Sequence, residues 1–327
     1  MDKVLGFLDN HPLLEHLDLS YYDEYRGELG LAVSLPSLRT YTQTIFGREC
    51  SLEVLNGLSL SPFCSITLRL RGRTVAEASN ALPRIEYPYY LGDIERIKLR
   101  TMHDADGNEV AGMMELIGAK GTKLCLERMV SGVGGAKPLV QAANNHANNV
   151  ALSLEGFDVQ SMETLYIDGN ELGGIRGAAV GFLKEVLVWG WNVRTLVLSR
   201  TAVQPCLSAL DEDARSHSPW LILSMYTLVI YLDSGSLGPP LGILQPLSRI
   251  AQKRKSLESP LRSVSLFLRA GRGPVWGLNE SLEELKRCVE ELKVVVGDDA
   301  LGWDGDKWFL DGLEHLQKGR CIQPEWN

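Results

Sequence analysis

A short apolar pattern, L-x-x-L-x-L, returns at intervals along the chain and restricts the possible folds more than any other feature. Its fullest copy is METLYIDGNEL at 162–172, where Met162, Leu165, Ile167, Asn170 and Leu172 fill the template L-x-x-L-x-L-x-x-N-x-L. The alternation Leu165-Tyr166-Ile167 predicts a short strand with one buried and one exposed face, because successive side chains of a strand point to opposite sides. Asn170 is expected to turn inward and bond backbone groups freed where that strand ends. Copies in the same register begin at Leu14-x-x-Leu17-x-Leu19, then Leu38-x-x-Tyr41 with Gln43 in the third apolar place. Phe63-x-x-Ile66-x-Leu68, Ile94-x-x-Ile97-x-Leu99, KLCLERM with Leu124 and Leu126, and NVALSLE with Leu152 and Leu154 follow. Beyond the fullest copy come Val193-x-x-Leu196-x-Leu198, Met225-x-x-Leu228-x-Ile230, Leu261-x-x-Val264-x-Leu266 and Val289-x-x-Leu292-x-Val294.

Most neighbouring copies lie 24 to 36 residues apart, at or above the upper end of leucine-rich-repeat lengths, so a helix is expected on each return path. The exception is the 13-residue step from Leu152 to Leu165, which is too short for a strand-helix-strand unit. Either NVALSLE is a side strand or a return segment is missing there. Helices are predicted over 74–82, 109–117, 138–147, 175–188, 244–255, 280–289 and 308–316 from apolar residues at three- and four-residue steps. Strands separated by single helices imply a parallel sheet. The strict alternation of SITLRLRGR, IERIKLR and LRSVSLFLR implies that one face of it is polar. The expected fold is therefore α/β, a leucine-rich-repeat-like solenoid (horseshoe) with a one-sided parallel sheet backed by helices. It forms one irregular domain over 1–327, with a C-terminal capping helix region at about 296–327.

Charge and cysteines narrow the function. The net charge of -8 argues against general binding to nucleic acid or to anionic membrane. The six cysteines are far apart and lack C-x-x-C spacing, which reads as reduced thiols of a cytoplasmic or nuclear protein rather than a disulfide framework or zinc site. The N-terminus has no signal-peptide pattern, and the longest apolar run, Trp220 to Leu232, is 13 residues and too short to span a bilayer.

The first repeat, NHPLLEHLDLS, and the stretches LQPLSRIAQKRKSLESPLRSVSLFLR and ELKRCVEELKVVVGDDALGWDGDKWFLDGLEHLQ resemble the repeat region of F-box-type proteins abundant in mushroom-forming fungi. The resemblance covers most of the chain loosely and residues 243–316 best. It implies a repeat domain that presents substrates to a cullin ubiquitin ligase, with no catalytic residues of its own. An L-P-x-E-[IL]-like F-box opening is missing, and about a dozen residues precede the first repeat. The chain is thus expected to be truncated, either as a gene model or because a partner covers that end, and adaptor docking is expected only with an upstream F-box.

Exposed strand positions form the candidate binding surface. The third strand is expected to expose Ser65, Thr67, Arg69 and Arg71, the fourth Arg96, Lys98 and Arg100, and the fifth Lys123, Cys125 and Glu127. With parallel neighbours about 5 Å apart, Arg69, Arg71, Arg96, Lys98, Arg100 and Lys123 would share one basic patch. Guanidinium forks bind carboxylate or phosphate at two points, so such a patch suits an acidic or phosphorylated peptide or protein. The plainer reading is a solvated face whose cations pair with acids elsewhere in the fold. The later strands are expected to expose Val197, Val229 and Phe267, which suits an interface but also ordinary scattered surface residues.

Other motifs are weaker. Asp104, Asp106, Asn108 and Glu115 fit calcium-loop positions, but Glu109 stands where that turn needs glycine. GVGGAK at 132–137 lacks the Ser or Thr that a phosphate loop places after its lysine. Arg249 with Lys253, Arg254 and Lys255 matches an import signal or a solvated helix end. Asp298, Asp299, Asp304 and Asp306 read as a loop before the last helix. No enzyme, cofactor or metal is expected. The leading function is a non-catalytic protein-interaction module; a stand-alone repeat scaffold is second, and a nucleotide-binding α/β enzyme third.

Overall fold

The computed structural model describes residues 2–21, 33–46, 55, 57–61, 63–72, 94–103, 109–118, 122–131, 161–169, 192–200, 202–215, 225–232, 241–268 and 278–296. The chain divides into two compact units, residues 1–161 and 162–327. Both are built on mostly parallel sheet. Of the expected strands, NVALSLE lies outside the described residues, as do Asn170 and Leu172. So do the helices expected over 74–82, 138–147, 175–188 and 308–316, and the cap expected at about 296–327 from residue 297 on.

The first unit contains helix α1 (Asp2–Asp9) and strands β1 (His16–Tyr21), β2 (Val33–Leu35), β3 (Thr40–Phe46) and β4 (Leu58–Leu60). Strands β5 (Ser65–Gly72), β6 (Ile94–His103), β7 (Glu109–Gly118) and β8 (Lys123–Ser131) follow. Its main sheet has the order β1-β3-β5-β8-β7-β6, parallel from β1 to β8 and antiparallel through β7 to β6. Strands β2 and β4 form a separate parallel pair, against which α1 packs with Leu5 and Leu8 buried. The core row of the main sheet runs Leu17, Tyr41, Ile66, Leu124, Leu116 and Ile97 across six strands. Gln43, an apparent flaw in its repeat, is buried one position further along, where Tyr41 Oη donates to its Oε1 at 2.7 Å. A polar side chain is tolerated in a core when its hydrogen bonds are made.

The span Glu109–Gly118, expected to hold a helix, is instead the strand β7, paired antiparallel on both sides. Its apolar residues suit either structure, and Gly112 weakens the helical option by about 1 kcal/mol. The Gly118 N–H donates to the Thr122 carbonyl at 3.0 Å and closes the β7–β8 connection. Asp106-Gly107 lies between β6 and β7, and this dipeptide between apolar runs is a strong hairpin signal. That signal could have identified the meander. The consequence is an insertion: β8, not β6, continues the parallel register of β5.

Among the described residues of the second unit, strands and helices mostly alternate. They are β9 (Thr164–Gly169), β10 (Thr195–Arg200), α2 (Val203–Ala214), β11 (Thr227–Leu232), α3 (Leu241–Ser256), β12 (Leu261–Leu268), α4 (Leu278–Lys286) and β13 (Val289–Val296). The strands pair in parallel in chain order. Leu165, Leu196, Leu228, Val264 and Leu292 share one row, and Ile167, Leu198, Ile230, Leu266 and Val294 another. Each fully buried aliphatic side chain contributes about 1.5–3 kcal/mol. Helix α2 was not expected, although Val203, Cys206, Leu207, Leu210 and Ala214 recur at helical spacing and are all buried. Helix α3 buries Ile243, Leu244, Leu247, Ile250 and Ala251 along one stripe, as its spacing predicts. Helix α4 ends at Lys286, and Val289, expected in the helix as well as in the strand, opens β13.

One device recurs at the strand entries of both units. A single carbonyl accepts the N–H groups of two consecutive residues on the neighbouring strand. Glu15 serves Arg39 and Thr40, Glu163 serves Arg194 and Thr195, Arg194 serves Tyr226 and Thr227, and Tyr226 serves Arg262 and Ser263, at 2.8–3.3 Å. These pairs set the register in which the leucine positions align.

The expectation of a one-sided sheet holds for β5, where buried Ile66 and Leu68 alternate with half-exposed Ser65, Thr67 and Arg69. It fails in the second unit. In β12 only Arg262 is exposed and Ser263 half-buried, while every residue from Val264 to Leu268 is buried. Val197, Val229 and Phe267, expected on an exposed face, are 0%, 0% and 7% exposed. The polar letters between the leucines are small hydroxyls such as Ser199 and Ser265, which can be buried at modest cost once bonded. Alternation of residue type is therefore not alternation of exposure.

Candidate interaction surface

The register of the first unit arranges its non-core side chains in rows. One reads Asp18, Thr42, Thr67, Cys125, Glu115 and Lys98, from β1 across to β6. Flanking it on one side are His16, Thr40, Ser65, Lys123, Ile117 and Arg96. On the other side, Ser20, Thr44, Arg69 and Glu127 share a row across β1, β3, β5 and β8. The face is polar because the core claims every alternate residue.

The structure distributes the six expected cations unevenly. Arg69, Arg96 and Lys123 are half-exposed. Lys98 was expected at the surface but its side chain is only 1% exposed, with Nζ 3.9 Å from Glu115 Oε2. A buried ammonium requires such compensation, because isolated charge is costly away from water. The side chains of Arg71 and Arg100 lie outside the described residues. Nor do the six positions make one cluster. With β8 and β7 between them, β5 and β6 stand three strand spacings apart, roughly 14 Å.

Acidic residues are interleaved with the cations. Glu115 also takes Lys123, with Nζ 3.5 Å from its Oε1. Arg69 Nε donates to Glu127 Oε2 at 2.9 Å, and Arg69 Nη1 lies 4.0 Å from Asp18 Oδ2. Glu127 is expected on this face, but the pairings are not legible in the sequence, because only the strand order brings these acids of β1, β7 and β8 beside the cations. Cys125, expected to be exposed, is buried between them. Burial, with the charges of Glu115 and Glu127, pushes its thiol up to about 12, against the weaker opposite pull of Lys123 and Arg69. It is protonated and unreactive at neutral pH.

The second unit carries polar groups in its interior. Ser199 Oγ donates to Asp168 Oδ1 at 2.6 Å, and Tyr166 Oη lies 3.3 Å from Ser199 Oγ, all three residues being buried on β9 and β10. Between α2 and α3, Arg249 grips Asp211 through Nε and Nη2 at 2.7 and 2.8 Å, and Arg215 bonds the same carboxylate. Of the basic run on α3, Arg254 is fully buried with its guanidinium 5.6 Å from the Tyr226 ring, and Lys255 Nζ donates to the Arg287 carbonyl at 2.7 Å. Arg249 and Arg254 are thus engaged in packing, while Lys253 is half-exposed and Lys255 exposed at the helix end. The segment 132–137, the acids at 298–306 and the loop 104–108 lie outside the described residues, and Glu115 of the calcium pattern is engaged by two lysines.

Among the described residues no helix is long and apolar enough to cross a membrane. Comparison with protein-family models, with curated proteins and with solved structures returned no match.

Proposed function

We infer that the chain is a non-catalytic protein-interaction module, a leucine-rich-repeat-like solenoid whose first unit offers the polar sheet face to a partner. The observation that carries this reading is the set of half-exposed cations Arg69, Arg96 and Lys123 on the two rows that flank the Asp18–Lys98 row, two of them oriented by carboxylates on neighbouring strands. Pre-oriented guanidinium and ammonium groups lose little freedom on binding. A partner carboxylate or phosphate can share Arg69 with Glu127 and Lys123 with Glu115, which favours an acidic or phosphorylated segment with defined spacing. By resemblance, such a module is the substrate-recognition part of an F-box ubiquitin-ligase subunit.

The test is an array of acidic and phosphoserine peptides probed with the purified chain and with the double variant Arg69→Gln, Lys123→Gln. Selective binding that the variant loses supports the reading, and binding that is absent or unaffected by the variant rejects it. Co-purification of the full-length protein with the cullin-ligase adaptor tests the ligase link separately; without the adaptor, the chain is a scaffold outside the ligase.

A further inference from the structure

The core row of the first unit does not end cleanly at β1. Tyr41, Gln43, Ile66 and Leu68 are all less than 5% exposed, whereas their neighbours Leu17 and Leu19 on β1 are only half-buried. β1 is the outermost strand of this sheet, and among the described residues no strand pairs with its outer edge. Its outward backbone N–H and C=O groups therefore form a template for a further strand. Leu13, just before β1, is 82% exposed. On the opposite face, Asp18 is 65% exposed and its ion pair with Arg69 is long, at 4.0 Å.

We propose that the outer edge of β1 binds an extended segment of a partner protein that alternates apolar and basic side chains. The backbone of the segment continues the sheet. Its apolar residues cover Leu17 and Leu19 and complete the core layer, while the basic residues between them meet Asp18. Period-2 geometry requires this division, since neighbours of Leu17 and Leu19 fall on one face and neighbours of Asp18 on the other. The long Asp18–Arg69 ion pair links this surface to the cation-bearing rows, so a backbone-only control, the N-methylated peptide, distinguishes failure of strand addition from failure of the basic surface.

The experiment uses the full chain and a short capped peptide of alternating Leu and Lys. Its controls are a Leu/Glu peptide of the same length and a Leu/Lys peptide with alternate amides N-methylated. The Leu/Lys peptide is expected to bind and to slow hydrogen exchange at the β1 amides. N-methylation should abolish binding, because it removes the ladder hydrogen bonds. Asp18→Lys, at an exposed site that leaves the core intact, should weaken the Leu/Lys peptide by about tenfold and favour the Leu/Glu peptide. Protection elsewhere than β1, or equal binding of the N-methylated peptide, overturns strand addition. Unchanged preference in Asp18→Lys overturns the charge assignment. Concentration-dependent self-association that buries β1 would make a second copy the occupant and would also overturn the proposal.

Discussion

Individual charged residues carry the sharpest tests. Burial by itself would raise the Asp211 carboxyl, but the hydrogen bonds and charges of Arg249 and Arg215 outweigh it and hold the group below the ordinary carboxylate range. Because the folded-state pKa is depressed, the stabilisation is complete above the unfolded value of about 3.9 and is lost as pH falls through the folded one. Asp211→Asn should lower stability by about 1.5–3 kcal/mol at pH 7 in urea unfolding, and the gap from the parent protein should close progressively below about pH 4. Glu115 presents a different case, since it compensates the buried Lys98 as well as the half-exposed Lys123. Glu115→Ala is expected to cost about 3 kcal/mol and Lys123→Ala less than about 1 kcal/mol. Paired chemical denaturation of the two variants decides this; equal effects would mean that Lys98 draws nothing from Glu115. Burial also raises the thiols of Cys64 to about 11 and of Cys206 to about 12. Alkylation at pH 8, followed by mass spectrometry, should therefore modify Cys64, Cys125 and Cys206 far more slowly than an unfolded control.

At the scale of elements, the meander β6-β7-β8 and the edge strand β1 make contrasting predictions. β7 is paired on both sides, whereas among the described residues β1 is paired on one. Native-state hydrogen exchange should find the amides of β7 better protected than those of β1, because a central strand opens only with its neighbours. A helix over 109–117 would instead protect i→i−4 amides without any dependence on β6 or β8. The span was ambiguous because its apolar residues satisfy period 2 and period 3.6 alike, so pairing partners decide the conformation. Helix α3 was legible for the opposite reason: Leu244, Leu247, Ile250 and Ala251 fit a helical stripe and would scatter over both faces of a strand.

For the whole molecule, the second unit holds a repeating strand-helix order with its own buried rows. The fragment 162–327, expressed alone, is expected to unfold cooperatively in circular dichroism, since its described rows and the Asp211–Arg249 bond lie inside it. A gradual, non-cooperative melt would show that it does not hold a complete core.

The strand anchors are legible in the chain's local chemistry. Leu17, Tyr41, Ile66, Ile97, Leu124, Leu165, Leu196, Leu228, Val264 and Leu292 all sit on described strands at the expected places. An apolar period is a local property that chain chemistry imposes wherever a core exists. The α/β class with mostly parallel pairing is legible too, from the distances between those anchors. Strand order, by contrast, depends on contacts between residues far apart in the chain and is visible only in the folded protein. That order placed β8 beside β5, gave Arg69 the carboxylate of Glu127 and buried Lys98 next to Glu115. The candidate surface was thus half legible: its cations are local facts of the sequence, but whether a cation faces solvent or an acid is set by which strand lies about 5 Å away.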